Sequence, residues 1–321
     1  VTDSASRHLV DPELFGFLDG FPTLALSMEN LEAVRAIARQ PAPFFAETRG
    51  VETVRRTAPG PKGAPDVAIL VHSPEGVEEA LPCIFHMHGG GYVIGAPEAD
   101  APQHRRLAAE LGCCIVSVDY RLAPETPHPG PIEDCYAALT WLFANADTLK
   151  IDASRVGVMG ESAGGGLAAA LALMTRDRGE FALAFQHLIY PMIDDRTCVV
   201  PHPHPYTGEF IWTPHNNRFG WSALLGRDPG AGGVSPYAAA ARAEDLSQLP
   251  RTFISTGALD LFLEEDIDYA RRLMRAGVSV ELHVYPGAFH AFDYDPSASV
   301  AAQARRDSHA ALTRAFRPRA L

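Results

Sequence analysis

The stretch GESAGGG, residues 160–166, sets one hydroxyl among four glycines where RVGVM gives way to LAAALALMTR. A β-branched run becomes an alanine-rich one there, so the glycines sit at a strand-to-helix junction. Read as a plain connection, Ser162 caps the helix by accepting an orphan backbone N–H. Read as a nucleophile elbow, Gly160-Glu161-Ser162-Ala163-Gly164 turns so sharply that only flanking glycines avoid a clash, and the hydroxyl stands clear for attack. A serine hydroxyl is a weak nucleophile at neutral pH. The second reading therefore requires a base, an acid to orient that base, and donors for an oxyanion.

The chain offers one of each at the ends of strand-like runs. HMHGGGY (86–92) closes one run with three glycines, whose backbone N–H groups can turn inward. Gly89 and Gly90, with the N–H of Ala163, are the expected oxyanion donors, against the alternative of a simple glycine turn. Among 13 histidines, His290 stands directly after the last strand in YPGAFHAF, in an apolar loop suited to a base. Asp260 ends RTFISTGALD, after the preceding strand. The order Ser162, Asp260, His290 is that of an α/β-hydrolase and differs from the orders of the unrelated serine-protease folds. Glu264, Glu265 and Asp266 follow closely, where a helix N-terminus accounts for acids without a catalytic role.

Other polar residues have weaker claims. Glu161 is either a bystander on the turn or a hydrogen-bond acceptor behind the nucleophile, and His88 is expected to structure the glycine loop. His202 and His204 in PHPHP have no cysteine or carboxylate at zinc spacing. His86 and His88 alternate along a strand and face opposite sides, so they cannot jointly hold an ion. No metal and no cofactor are expected.

These residues need a scaffold that brings distant strand ends together. With 321 residues, 47% of them hydrophobic, the chain can bury a sizeable core. Strand-like runs at 66–74, 81–88, 113–120, 155–160, 184–191, 251–256 and 278–286 alternate with helical patterns such as 131–147 and 264–277. Several of the runs are apolar on both faces, as in a mostly parallel sheet with helices on each side. Two stretches interrupt the alternation. Residues 1–50 form a helix-rich preamble with Phe15, Phe17, Phe21, Phe44 and Phe45, and residues 192–235 are rich in proline and aromatics. Both are expected to form a cap over the carboxyl ends of the strands, where ligands bind in open α/β sheets. The catalytic domain is then 51–191 with 236–321.

A formal charge of −12, from 39 acidic and 27 basic residues, argues against nucleic acid and anionic membrane surfaces. The five cysteines, Cys83, Cys113, Cys114, Cys135 and Cys198, lack C-x-x-C spacing and fit core packing in a reducing compartment. No signal-like N-terminus and no run of about 20 apolar residues is present, so a cytoplasmic, soluble protein is expected.

HGGGY (88–92), DYRLAPE (119–125), HPGPIEDCYAAL (128–139), GESAGGG (160–166) and YPGAFHAF (285–292) together resemble the hormone-sensitive-lipase-like family of bacterial carboxylesterases, and within it the heroin-esterase-like members. The resemblance runs from about residue 50 to the C-terminus. It implies an α/β-hydrolase fold with a helical cap, a triad of Ser162, Asp260 and His290, and an oxyanion hole of Gly89, Gly90 and Ala163. It also implies small, hydrophobic, short-acyl ester substrates. One departure falls at the acid, where the family commonly has proline next and this chain has Leu261. Two other functions remain open at this level. One is a peptidase or amidase on the same fold; the other is a non-catalytic small-ligand receptor, as in the plant gibberellin receptors, which lack the catalytic histidine. Homo-oligomerisation is left open.

Overall fold

Runs that are apolar on both faces bury only between two layers of helices, and the chain supplies those layers by alternation. The computed structural model describes residues 4–21, 24–41 and 48–317; Phe44 and Phe45 lie outside them. In chain order come α1 (Phe15–Gly20), α2 (Leu31–Ala38), β1 (Val51–Ala58), β2 (Val67–Pro74), β3 (Leu81–Met87), α3 (Pro97–Leu111), β4 (Cys114–Asp119) and α4 (Gly130–Ala144). There follow β5 (Ile151–Glu161), α5 (Ala163–Arg178), β6 (Phe185–Ile189), α6 (Pro214–Leu225), β7 (Arg251–Gly257), α7 (Leu263–Arg275), β8 (Val280–Tyr285) and α8 (Ser299–Ala315).

Among the described residues, eight strands form one sheet in the order β1-β2-β4-β3-β5-β6-β7-β8. The pairs β1–β2 and β2–β4 are antiparallel, and every later pair is parallel. This is an α/β-hydrolase fold. All seven expected strands are present. The eighth, β1, is absent from the expectation because only its two ends, Val51 and Ala58, are buried. Between them Glu52, Arg55 and Arg56 face water, and no alternation marks the strand.

Each face of the sheet has its own core. On one face Ala168, Leu171 and Leu173 of α5 pack with Leu139 of α4 and Leu273 of α7. On the other, Leu107 of α3 meets Leu312 and Phe316 beyond Ile84 and Phe185. The helix α5 is buried along nearly its whole length, from Ala163 to Thr175, which its small residues permit. A third cluster joins Leu14 and Leu18 of the N-terminal segment to Phe210 of the 192–235 insertion and to Phe289. Both interrupting stretches thus pack against the loop that carries His290.

The insertion is anchored by buried acids. Asp195, fully buried, accepts from Arg242 Nε at 2.8 Å, Arg242 Nη2 at 2.9 Å and the Gly230 N–H at 2.6 Å. Glu265 accepts from the N–H groups of Ile193 (2.8 Å) and Asp194 (3.1 Å) and from the Thr197 hydroxyl. The acids opening α7 are therefore not a solvated helix end as a group. Glu264 is exposed, but Glu265 and Asp266 are buried, and Glu265 fastens the start of the insertion to the catalytic domain. Among the described residues, no helix is long and apolar enough to cross a membrane.

Arg242→Met leaves Asp195 buried without its cation, so urea unfolding should show a loss of about 3–5 kcal/mol. A pH-dependent term is expected from His187, which stacks on Phe253 at 4.2 Å and bonds to Ser308 at 2.8 Å. Burial, with lesser repulsion from His309 and His283, lowers its pKa from 6.5 to about 3. The folded state favours the neutral ring. Its contribution is present above the unfolded value of 6.5 and is lost as pH falls towards about 3. The stability of His187→Phe relative to wild type should accordingly improve across that window, as read from denaturation midpoints.

Candidate active site

At the end of β5 the chain reverses within one residue. Ser162 adopts φ 56° and ψ −122°, a conformation that an L-residue tolerates only when its surroundings hold it there. Those surroundings leave no room for side chains on either flank. A Cβ on Gly160 would lie 2.3 Å from the Gly164 backbone, and one on Gly164 would lie 2.0 Å from the Met87 carbonyl oxygen. The Ser162 N–H donates to Ile189 O at 2.9 Å, and its carbonyl accepts from Met192 N at 2.9 Å and Gly166 N at 3.0 Å. Its side chain makes no capping bond, so the simple N-cap reading does not hold.

The hydroxyl is engaged elsewhere. Ser162 Oγ lies 3.0 Å from His290 Nε2, and His290 Nδ1 lies 2.8 Å from Asp260 Oδ2. All three residues are buried. Tyr190 and Phe262 approach the imidazole edge-on, with centroids at 4.7 and 5.3 Å, and keep water from its flanks. The second oxygen of Asp260 accepts from the Phe262 N–H at 3.0 Å, which fixes the carboxylate. Leu261, where a proline was the family expectation, packs on Gly208 of the insertion, whose N–H bonds to Leu259 O at 3.0 Å. These contacts tie the loop that carries Asp260 to the insertion, and Asp260 stays within reach of His290.

The glycine loop faces this hydroxyl. A side chain on Gly89 would come 3.6 Å from Ser162 Cβ, and the N–H groups of Gly89, Gly90 and Ala163 donate to no other described residue. His88 shapes the loop. Its Nδ1–H donates to Gly89 O at 2.8 Å, the Tyr120 hydroxyl donates to its carbonyl at 2.7 Å, and the two rings stack at 4.2 Å. Burial lowers the His88 pKa to about 3, so the ring is neutral. Tyr120 precedes Arg121, which forms a fork to buried Asp134 at 2.8 and 2.7 Å; two of the sequence motifs are thereby joined.

Behind Ser162 lies a polar group that sequence reasoning reached only in part. Glu161 accepts from His86 Nε2 at 2.7 Å, while His86 Nδ1 lies 3.1 Å from Ser117 Oγ. Burial pulls the His86 pKa down, but the charge and hydrogen bond of Glu161 outweigh it, and the imidazole ends above its ordinary value. His104 sits edge-on to His86 at 4.2 Å and is held neutral by burial. Asp100, buried beside Glu161, is raised to about 7, chiefly by desolvation. His86, Asp100 and His104 offer ligand atoms within 4.8 Å of one another, but both ring nitrogens of His86 are already engaged. An ion would have to displace Ser117 or Glu161. His202 lies on the surface, and His204 Nδ1 accepts from the Tyr206 N–H at 3.2 Å.

A cleft of about 250 Å³ opens onto Ser162 and His290, walled largely by Phe21, Ile94, Trp212 and Tyr190. Phe21 comes from the N-terminal segment and Trp212 from the insertion, so both interrupting stretches reach the site. The Trp212 ring lies against Gly91, where any side chain would strike it.

A family model described as an alpha/beta hydrolase fold matches residues 84–294. Carboxylesterase NlhH of Mycobacterium tuberculosis is 35% identical over 98% of each chain. Among solved structures, a bacterial heroin esterase superposes with a TM-score of 0.89 at 38% identity, covering 97% of this chain and 99% of its own. Esterase LipW of Mycobacterium marinum does so at 0.81 and 31%, covering 97% and 98%. This chain belongs to the hormone-sensitive-lipase-like carboxylic ester hydrolases of the α/β-hydrolase fold.

Proposed function

We propose that the protein is a serine carboxylesterase that hydrolyses small, apolar, short-acyl esters through an acyl-enzyme. The observation that carries this reading is the continuous hydrogen-bonded line from Asp260 through His290 to Ser162 beside a loop of unengaged N–H groups. In the first half-reaction His290 Nε2 takes the hydroxyl proton as Ser162 Oγ attacks the ester carbonyl. Asp260 holds the Nδ1–H and stabilises the imidazolium that forms. The N–H groups of Gly89, Gly90 and Ala163 receive the oxyanion. Collapse breaks the C–O bond, and the alcohol leaves with the proton from His290. Water then takes the place of the alcohol and attacks the acyl carbonyl as it loses a proton to the same nitrogen; collapse breaks the acyl–Oγ bond, His290 returns the proton to Ser162 Oγ, and the carboxylic acid leaves. Nucleophile, base and oxyanion donors all belong to the chain.

The small cleft and its aromatic walls support a limit on acyl size. We expect kcat/KM on dissolved p-nitrophenyl esters to fall as the acyl chain lengthens from hexanoyl to dodecanoyl, and the matching anilides to be turned over far more slowly. Faster turnover of emulsified long-chain triglyceride would overturn the size limit, and anilide rates equal to ester rates would move the activity to an amidase.

Ser162→Ala should remain folded and lose several powers of ten in kcat, since the elbow accepts a smaller side chain. Asp260→Asn should lose about 10⁴-fold, because the amide favours the wrong imidazole tautomer. Glu264→Gln, exposed at the start of α7, should stay within about tenfold of wild type. A wild-type rate in Asp260→Asn at saturating substrate would remove that residue from the mechanism.

A further inference from the structure

The two halves of the site arrive on different strands. β3 delivers the glycine loop and β5 delivers Ser162, and these strands are parallel neighbours whose last paired residues are Met87 and Gly160. Beyond that pair the sheet ladder no longer sets their separation. Yet the rate of acyl transfer depends on it, because an oxyanion donor misplaced by about 1 Å can cost about 100-fold.

The side-chain bond between His86, still in the ladder opposite Met159, and Glu161, the first residue of β5 past its last pair with β3, ties the two strands at this point. His86 is the penultimate residue of β3, fully buried, and Glu161 is the last residue of β5, next to the nucleophile. Their 2.7 Å contact ties the strand that feeds the oxyanion loop to the residue that precedes Ser162. The far side of the imidazole is fixed at 3.1 Å by Ser117 on β4, the other neighbour of β3. The backbone is tight at the same place, since a side chain on Gly89 would lie 3.1 Å from the Glu161 carbonyl oxygen. In a buried setting such a bond to a carboxylate is strong, and an unpaired partner is costly.

We propose that the His86–Glu161 pair sets the distance between the nucleophile and the oxyanion donors, and that His86 is a positioning residue for transition-state stabilisation. The inference rests on the esterase reading above. The cleft is walled mainly by Phe21, Ile94, Trp212 and Tyr190, and Glu161 reaches its lining whereas His86 does not, so substitutions at His86 should leave ground-state binding nearly unchanged.

The test uses the full chain and counts competent sites with a p-nitrophenyl phosphonate that labels Ser162. His86→Phe keeps a buried ring and removes the bond. Per titrated site its kcat should fall 10- to 100-fold with KM within about threefold. Affinity for a trifluoromethyl ketone, which mimics the tetrahedral adduct, should fall in parallel with kcat/KM. His86→Gln, which restores a donor, should recover most of the loss. Glu161→Ala cuts the same bond from the other end and should match His86→Phe in kcat, and the double variant should have a kcat no lower than either. Ser117→Ala, which only loosens the imidazole, should lose three- to tenfold and serves if the other variants do not fold. Wild-type kcat per site in the folded variants, an effect on KM instead of kcat, or unchanged ketone affinity would overturn the proposal. A wild-type protein that the phosphonate does not label would sink the esterase reading first, whereas labelled wild type with unaffected variants sinks only the positioning role.

Discussion

The reversal at Ser162 is the constraint on which the site depends. A positive φ at a non-glycine residue costs on the order of 1–3 kcal/mol and persists only where packing over-determines it. Here β5, α5 and the end of β3 meet so closely that two glycines are required, and β6 supplies Ile189 as acceptor for the Ser162 N–H. The same closeness leaves the first N–H of α5 free beside the glycine loop. Strain at one residue and an open donor at the next are thus two results of a single turn.

Around that turn the protein buries an unusual number of imidazoles and sorts them by partner. His72, His88 and His104 lack a carboxylate in hydrogen-bond contact, and burial keeps each neutral. His86 has Glu161 and shifts the other way. Desolvation has the same sign for all four, so the presence of one bonded carboxylate decides which ring is shifted upward. The His290 imidazole differs again, placed between a carboxylate and a hydroxyl and shielded by aromatic edges.

Much of this was legible in the sequence because its signals are local. The elbow glycines, the glycine triplet and a histidine after the last strand each mark a strand end, and seven strands show as apolar runs. What could not be read depends on contacts between distant segments. Asp100 and His104 lie on α3, four residues apart on one face, and nothing in PEADAPQHRR shows that they sit behind Ser162. Glu265 looks like an ordinary acid of a first helical turn, yet its partners are backbone N–H groups some 70 residues earlier. Leu261 breaks the family pattern at the acid, yet the Phe262 N–H one residue further on still fixes the Asp260 carboxylate, a contact that the sequence does not show.

The polarity that hides β1 from a sequence reading has a use of its own. As the outermost described strand it pairs on one side with β2, and no other described strand pairs with its second row of N–H and C=O groups, a template on which an extended chain could lengthen the sheet. Its exposed middle carries Glu52, Arg55 and Arg56, with Arg55 held at 2.8 Å from Glu98 of α3. A copy of the strand added there would have to strip water from these charges and bring like charges close together, with almost no apolar surface gained in return. The border of the sheet is thereby guarded against aggregation by the residues that make it look least like a strand.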